Sequence, residues 1–426
     1  MTAVPFRSRY LRPAHRRSQR GQAAFLVVML FGLAAALLVY GMVDTTSAAL
    51  RRDRDTAAAF AQAKQALIGR AVADDNRPGS LPCPDTDNDG SAETFVGADC
   101  PSYIGRLPWR TLGLPDLRDA SGERLWYVLS PRFRDNSAAE PINSDTKGNI
   151  TVYQDSTIVP PGAMITAEAV AVIFAPGSVL AGQLRDTAIN QNIASNYLDS
   201  TGGANNATAA GPYITAQRSD TFNDRLLVIT TAELMPVVEQ RVARELRTIL
   251  QNYKANTACC TNLGGTAGCY PWADLSNGYS DADPYNVGEG RNRGRIPAFG
   301  ASPYDWGTNP CGTAVPTMPS WFVNNDWRLV VYYSAGRNFL GPTGTTTACT
   351  TCVDPSLTVN GVAGKEVVIL LPGPNLGASP RAPVPTDNLT YWQYYFEDAE
   401  NQDNGNDWFV TPTSTAYARD RIYTIP

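Results

Sequence analysis

The chain has 426 residues, of which 43% are hydrophobic and 18% are charged, so it can form folded cores and is not a wholly disordered protein. The formal net charge is −5, and the part that follows the six arginines of residues 1–21 carries −11. This acidic body argues against nucleic-acid binding, which needs clustered Lys and Arg. The only histidine, His15, lies among those arginines. Its position excludes a Ser-His-Asp triad, a Cys-His pair and a His-ligated zinc in the body, and we predict no enzyme activity.

The N-terminal region combines a basic leader, residues 1–21, with an uncharged run from Ala23 to Val43. About 21 residues at a rise of ~1.5 Å reach ~31 Å, which matches the hydrocarbon thickness of a bilayer. We therefore predict a transmembrane helix over residues 22–44, with the arginines on the cytoplasmic side and all later residues on the other side. Cleavage of a secretory signal peptide near Ala49 is the alternative.

The next segment, residues 45–74, contains almost no helix breaker. Six of its side chains recur at spacings of three, four and seven, which is typical of an amphipathic helix. We expect this helix to continue the membrane helix as one rod of about 50 residues, roughly 75 Å long. The predicted stripe consists of Leu50, Ala57, Phe60, Lys64, Leu67 and Ala71.

The junction between leader and apolar run resembles type IV pilin-like proteins, a class that includes the pseudopilins of type II secretion. The residues that carry the resemblance are Gln19-Arg20-Gly21 followed by Gln22-Ala23-Ala24-Phe25-Leu26. The resemblance implies that a prepilin peptidase cuts after Gly21 and methylates Gln22. The family usually places Phe at Gln22 and Glu at Leu26, and its large minor subunits at the fibre tip also lack that glutamate. The resemblance therefore favours a tip or initiation position.

The body shows an internal repeat of four short segments in the same order. The segments are rich in β-branched and aromatic residues and are punctuated by Gly and Pro, so we predict that they are strands. The first unit would cover residues 45–230 and the second residues 231–426, each a helix packed on an antiparallel sheet. The predicted fold class is thus α+β, with a long N-terminal membrane helix before two tandem pilin-like heads. The paired segments are 105–108 with 294–297, 124–130 with 328–334, 172–177 with 368–373, and 224–229 with 420–425.

The helix of the second unit is predicted from its start signal and from its apolar face. Thr230-Thr231-Ala232-Glu233 is typical of a capping box. Apolar residues then recur at helical spacing, which predicts one buried face. That face consists of Val238, Val242, Leu246, Ile249 and Tyr253.

The even number of cysteines in an oxidising compartment favours disulfides. Cys83 and Cys100 are the only pair available to the first unit, and closing their loop would contribute ~3 kcal/mol. Cys349 and Cys352 are close enough to pair locally, with a redox motif as the alternative. The pairing of the others stays open. All eight cysteines lie beyond the predicted membrane segment: Cys83, Cys100, Cys259, Cys260, Cys269, Cys311, Cys349 and Cys352.

The acidic run at residues 85–90 is the sharpest chemical motif. Asp85, Asp87 and Asp89 offer oxygen ligands at alternate positions before a glycine, as in the first half of a calcium loop. An EF-hand would need an acid at Val96, so a solvated Asx-rich turn is the alternative. Calcium is the only cofactor we predict, and both interpretations remain open. A second acidic stretch, residues 397–407, is predicted to be a polar loop, with calcium as its alternative.

Together these patterns predict a structural subunit of a type IV pilus or a type II secretion-like fibre. Its expected partners are other pilin or pseudopilin subunits, contacted through the N-terminal helix, the prepilin peptidase and the inner membrane. We expect a single-pass inner-membrane protein with its heads in the periplasm and later at the fibre or cell surface. The alternative is an anchored adhesin, in which the aromatic residues of segment 391–396 bind surfaces or glycans; a buried strand would explain those residues equally well.

Overall fold

The structure is a computed structural model. It describes residues 50–136, 140–155, 161–256, 268–271, 273, 292–296, 318–340, 354–374, 395–403, 406–412 and 420–426. By its internal contacts the chain divides into two compact units, Met1–Asp55 and Thr56–Pro426. Only residues 50–55 of the first unit are described, and they are helical. All packing discussed below belongs to the second unit.

The described helices are few, and most of them are short. Two are long enough to pack along a sheet, and short 3-10 turns follow several strands. The helices are α1 (residues 50–73), α2 (Thr231–Ala255), α3 (Ser320–Asn324), α4 (Trp327–Val330) and α5 (Ala399–Gln402).

Fifteen strands are described. The first eight are β1 (Ile104–Arg106), β2 (Trp126–Leu129), β3 (Ile150–Gln154), β4 (Ala163–Ala175), β5 (Ser200–Thr201), β6 (Ala204–Asn205), β7 (Tyr213–Thr215) and β8 (Arg225–Thr230). The others are β9 (Arg293–Arg295), β10 (Tyr332–Ala335), β11 (Leu357–Val359), β12 (Val362–Lys365), β13 (Val367–Leu371), β14 (Trp408–Phe409) and β15 (Arg421–Ile425).

Two of the sheets share an arrangement of four strands. In a six-stranded sheet the neighbours run β1-β2-β4-β3-β7, and β8 also pairs with β4. In a four-stranded sheet the order is β9-β10-β13-β15. The strands β1, β2, β4 and β8 are antiparallel to their neighbours, as are β9, β10, β13 and β15. Among the described residues, the second sheet therefore repeats the β1-β2-β4-β8 part of the first, without counterparts of β3 and β7.

The repeat also holds residue by residue. In the first sheet, one row of backbone partners joins Arg106, Trp126, Phe174 and Leu226. In the second sheet the corresponding row joins Arg295, Tyr332, Leu370 and Ile422. The two rows have the same register across all four strands.

This register corrects one of the four predicted alignments. Trp126 corresponds to Tyr332, which is two residues later than the pairing of 124–130 with 328–334 implies. Side chains alternate between the two faces of a strand, so a shift of two residues leaves each side chain on the same face. Comparison of hydrophobic patterns therefore does not detect such a shift. In addition, the segment before β10 is the short helix α4 rather than a strand.

A buried asparagine side chain, that of Asn206, links strand β7 of the first sheet to the segment that leads into β8 through hydrogen bonds. The Asn206 side chain accepts a hydrogen bond from the Ile214 amide (2.8 Å) and donates to the Ile214 carbonyl (3.0 Å). It also donates to Oδ2 of Asp224 (2.9 Å), the residue just before β8. Asp224 accepts a second hydrogen bond from the amide of Asp199. Asn206 thus ties three separate segments together inside the protein.

The second sheet contains the same device. The Asn401 side chain pairs with both the amide and the carbonyl of Val410, at 2.9 Å each, and donates to Asp420 (3.0 Å). Asp420 precedes β15 as Asp224 precedes β8, and it accepts from the amide of Glu397. The repeat therefore includes buried polar contacts as well as strands.

One core lies beneath both sheets. It includes side chains of α1 and α2 together with residues of β2, β4, β10 and β13. At the helix surface Lys64 of α1 forms an ion pair with Glu233 of α2 (2.5 Å). The predicted boundary between 230 and 231 coincides with the junction of β8 and α2, yet residues 56–426 form one compact unit. The division into two domains stays a prediction.

The predicted faces of the two long helices meet different outcomes. In α1, Phe60, Leu67 and Ala71 are buried as predicted, whereas Leu50 and Ala57 are exposed and Lys64 is partly exposed. The helix instead buries two other small residues, Ala59 and Ala63. In α2 the capping box between Thr230 and Glu233 is present. Its predicted apolar residues are buried except Ile249, which is partly buried.

The predicted fold class needs a correction. The protein is α+β with few helices and several sheets, and no helix within the described ranges is long and apolar enough to cross a membrane. The predicted fold class, a long N-terminal membrane helix before two heads, is therefore contradicted by the described helices; α1, the described part of the predicted rod, carries a run of charges at residues 51–55. The leader 1–21 and the predicted segment 22–44 lie outside the described residues.

The cysteines that the structure describes are all oxidised. Cys83 and Cys100 form a disulfide, as predicted, and Cys269 is also disulfide-bonded. The other five predicted disulfide residues lie outside the described ranges: Cys259, Cys260, Cys311, Cys349 and Cys352.

Candidate functional site

The acidic loop after the first disulfide brings its three predicted residues together. One carboxylate oxygen from each of Asp85, Asp87 and Asp89 lies within 4.8 Å of the others. Asp85 is buried, whereas Asp87 and Asp89 are exposed. In the parts of the chain that the structure covers, this is the one cluster of His, Cys, Asp or Glu with metal-binding spacing.

The framework around the loop fixes Asp85. Its backbone pairs with that of Arg106 in both directions, at 3.0 and 2.6 Å. Gly105 permits this approach, because a Cβ there would lie 2.4 Å from the Asp85 carbonyl oxygen. At the end of the loop Gly90 has φ +90°, and a Cβ on it would lie 2.5 Å from the Trp109 ring. Both positions therefore require glycine.

The carboxylates already have hydrogen-bond partners in the loop. Asp85 accepts from the amides of Asn88 (2.6 Å) and Gly90 (2.7 Å). Asp87 accepts from the amide of Asp89, and Asp89 accepts from the amide of Ser91. These are Asx-type contacts, which fit the alternative of a polar turn.

The electrostatics of the loop nonetheless fit a cation. Burial, followed by the charges of Asp87 and Asp89, raises the pKa of Asp85 above its ordinary value, against the lowering effect of its backbone hydrogen bonds. A hard divalent cation would offset this repulsion, and oxygen atoms are the ligands that calcium takes. Asp85, Asp87 and Asp89 would hold the ion. Val96 lies exposed and offers no ligand of the EF-hand kind.

The calcium hypothesis predicts a stabilisation that the Asx-turn alternative does not. Calcium at 100 times its Kd should raise the free energy of unfolding by about 2.7 kcal/mol, because it binds the folded loop only. Thermal unfolding with calcium or with a chelator measures this. The double variant Asp87→Asn, Asp89→Asn should lose the response, whereas Asp220→Asn, at an exposed position, should keep it. Equal melting temperatures in calcium and chelator would contradict calcium binding.

A second pair of acids is buried away from this loop. Burial raises the pKa of Asp224 well above its ordinary value, and the neighbouring Asp199 raises it further. The pKa of Asp199 is also raised, chiefly by burial. Since Asp224 belongs to the framework repeated at Asp420, we interpret the pair as structural.

This burial predicts a pH-dependent effect of Asp224→Asn. The pKa of Asp224 is higher in the folded than in the unfolded protein, so the folded protein keeps this proton to a higher pH. The contribution of this carboxyl to the free energy of unfolding therefore falls as the pH rises above about 4. Asparagine stays neutral. The stability of the variant relative to the native protein should therefore increase with pH, as urea unfolding from pH 4 to 8 would measure. A difference that is constant with pH would contradict this, and Asp220→Asn supplies the control.

The remaining predicted sites divide between outside and inside the described ranges. The processing residues Gly21 and Gln22 lie outside them, as does His15. In the second acidic stretch, Asp398 caps α5 by accepting from the Glu400 amide, as expected of a polar loop. Tyr395 and Phe396, from the aromatic segment, are buried against Tyr332, with ring centroids 4.9 and 5.3 Å away.

Sequence reasoning missed a group of arginines beside β1, whose guanidinium groups converge on one pocket. They come from separate parts of the chain, so no spacing indicates them. The available signal was the repeated Gly105-Arg106 and Gly294-Arg295, which marks one of them.

Comparison with known proteins gives no relative. The chain matches no known protein family, no characterised protein and no solved structure. The resemblance to pilin-like proteins therefore stays a prediction.

Proposed function

We propose that this chain is a structural subunit of a pilin-like fibre, of the type IV pilus or type II secretion kind, acting at the tip or in the initiation of assembly. The observation that carries the proposal is the repeated framework. Two sheets that share a four-strand arrangement with the same register share one core with two helices, and each contains a buried hydrogen bond between an Asn and an Asp side chain. Such a bulky doubled body suits a terminal position better than a closely packed shaft.

The disulfide supports the proposed location. Disulfides persist in oxidising compartments such as the periplasm and the cell surface. Cys83 and Cys100 are both buried, and their bridge holds the acidic loop next to β1. We propose that the body lies in the periplasm and then at the fibre or cell surface. Its partners would be other fibre subunits and a prepilin peptidase.

The adhesin alternative gains no observation in its favour. Its candidate surface was the aromatic segment 391–396, and the two residues of that segment that the structure describes, Tyr395 and Phe396, are buried. We therefore do not carry it as a second proposal.

Mass spectrometry of the mature N-terminus tests the proposal. A methylated Gln22 as first residue, together with a retained leader in a Gly21→Val variant, is the expected result. An intact Met1 in the native protein, or a cut near Ala49, would overturn it. Deletion of the whole chain should in addition reduce the number of fibres, and expression of the native chain should restore it.

The shared core dictates how variants for such assays are designed. A truncation after residue 236 would remove Val238, Val242 and Leu246, which are buried in the same core as α1. The first sheet would be left with an exposed apolar face, so loss of fibres would report misfolding. Substitutions at exposed positions avoid this confusion.

A further inference from the structure

A pocket of about 290 Å³ lies beside β1 in an otherwise acidic protein. Four arginine side chains line it, from four places along the chain: Arg106, Arg118, Arg124 and Arg185. The volume is near the lower limit for small-molecule sites, so the pocket suits a small ligand rather than a polymer.

The positive charges of the pocket exceed the negative charges that contact them. Arg118 and Arg124 share a single carboxylate, Asp116, at 2.7 and 2.9 Å. Arg185 pairs with Glu123 at 3.0 Å. Arg106 forms no ion pair with any carboxylate of the described residues and donates instead to the backbone carbonyls of Arg124 and Gln191, each at 3.1 Å. In these ion pairs three of the four arginines use only two carboxylates, and Arg106 has no ion pair of its own within the described residues. Glu123 also acts electrostatically on Arg106, and Asp199 and Asp224 act on Arg185.

Arg106 is the most constrained of the four. Only 4% of the residue is exposed, and its guanidinium lies 4.3 Å from the Trp126 ring centroid and 4.0 Å from that of Tyr197. Its Nε has no hydrogen-bond partner among the described residues. Burial lowers the pKa of Arg106 to about 10. A buried cation is costly when the nearby carboxylate, here Glu123, already pairs with another arginine, and a bound anion would relieve that cost.

The neighbouring groups hold the pocket in one shape. Arg185 lies over the Tyr197 ring at 4.4 Å and donates to the carbonyls of Asn196 and Gly177. Arg124 donates to both the carbonyl and the side-chain oxygen of Asn88, in the acidic loop. A ligand would thus meet guanidinium groups that are already ordered, which reduces the entropy lost on binding.

We propose that this pocket binds a phosphate group, carried by inorganic phosphate or by a small phosphate ester. Guanidinium groups present planar donor pairs that match phosphate oxygens, and four arginines with only two ion-paired carboxylates among the described residues favour an anion. The inference does not depend on the proposed fibre function, because it rests only on side chains of the folded body.

Calorimetry with the purified full chain tests the proposal at constant ionic strength. Phosphate should bind saturably at a ratio of one, and acetate should bind at least tenfold more weakly. Arg118→Gln should weaken phosphate binding about tenfold, and it should keep the fold because the Arg118 side chain is 47% exposed. Arg106→Gln should abolish binding. Arg244→Gln, at an exposed position of α2, should change nothing.

The outcomes separate the possibilities. Tighter binding of glucose 6-phosphate than of phosphate, with none of glucose, would identify an ester as the ligand; equal binding would identify the free anion. Absence of saturable phosphate binding would overturn the proposal, as would equal affinity for phosphate and acetate. Native affinity in Arg118→Gln would overturn it as well, because that variant needs no allowance for misfolding.

Discussion

Replacing Asn206 by alanine should lower the free energy of unfolding by about 3 to 5 kcal/mol. The fully buried side chain makes three hydrogen bonds, and its removal leaves the Ile214 amide and carbonyl without those partners and takes one donor from Asp224. Urea unfolding followed by circular dichroism measures the loss.

The repeat supplies a matched comparison. Asn401→Ala removes the same three contacts from the second sheet and should cost a similar amount. Asn252→Ala, at an exposed position of α2, should be neutral or slightly stabilising, because alanine favours helix. A loss below about 1 kcal/mol in Asn206→Ala would contradict the expectation that the hydrogen bonds of this side chain stabilise the fold.

Replacing Asp407 by alanine should also cost about 3 to 5 kcal/mol, because it leaves the buried Arg293 guanidinium without its counter-charge. The pair is fully buried, with Nη2 and Oδ1 2.8 Å apart. The double variant Arg293→Met, Asp407→Leu should be less destabilised than Asp407→Ala, since it removes both charges of the pair. Chemical denaturation of the three proteins makes the comparison.

A surface ion pair of similar length is the control. Lys147 and Glu168 lie 2.9 Å apart with both side chains partly exposed, so Glu168→Ala should cost no more than about 1 kcal/mol. If Glu168→Ala costs as much as Asp407→Ala, burial does not determine the loss.

Because one core lies beneath both sheets, Asn206→Ala and Asp407→Ala should shift a single unfolding transition. Two separate transitions would contradict a shared core.

The strands can be predicted from the sequence, whereas the buried side-chain hydrogen bonds of Asn206 and Asn401 cannot. Strands such as β4 and β13 are predictable because each contains a short apolar run followed by Pro and Gly. The distance along the chain from β4 to β8 equals that from β13 to β15, which indicates the repeat. The buried amides have no such signal. Asn206 precedes its backbone partner by eight residues and Asn401 by nine, so no fixed period connects them.

The candidate sites follow the same rule. The acidic loop was predictable because its three aspartates occupy every second position of one short segment, so their proximity follows from the local sequence. The arginine pocket was not, because Arg106 and Arg185 meet only through the register of the first sheet and the loop that follows β4. The shift of two residues at Tyr332 has the same origin, since alternation alone does not distinguish registers of equal parity.

The junction between β8 and α2 has a mechanical consequence. β8 ends at Thr230 and α2 begins at Thr231, so no loop separates the first sheet from the helix that leads to the second. A load that reaches α2 would pass to the first sheet through a strand end and a helix start, both already hydrogen-bonded, rather than through a flexible linker. The junction itself therefore offers no free hinge.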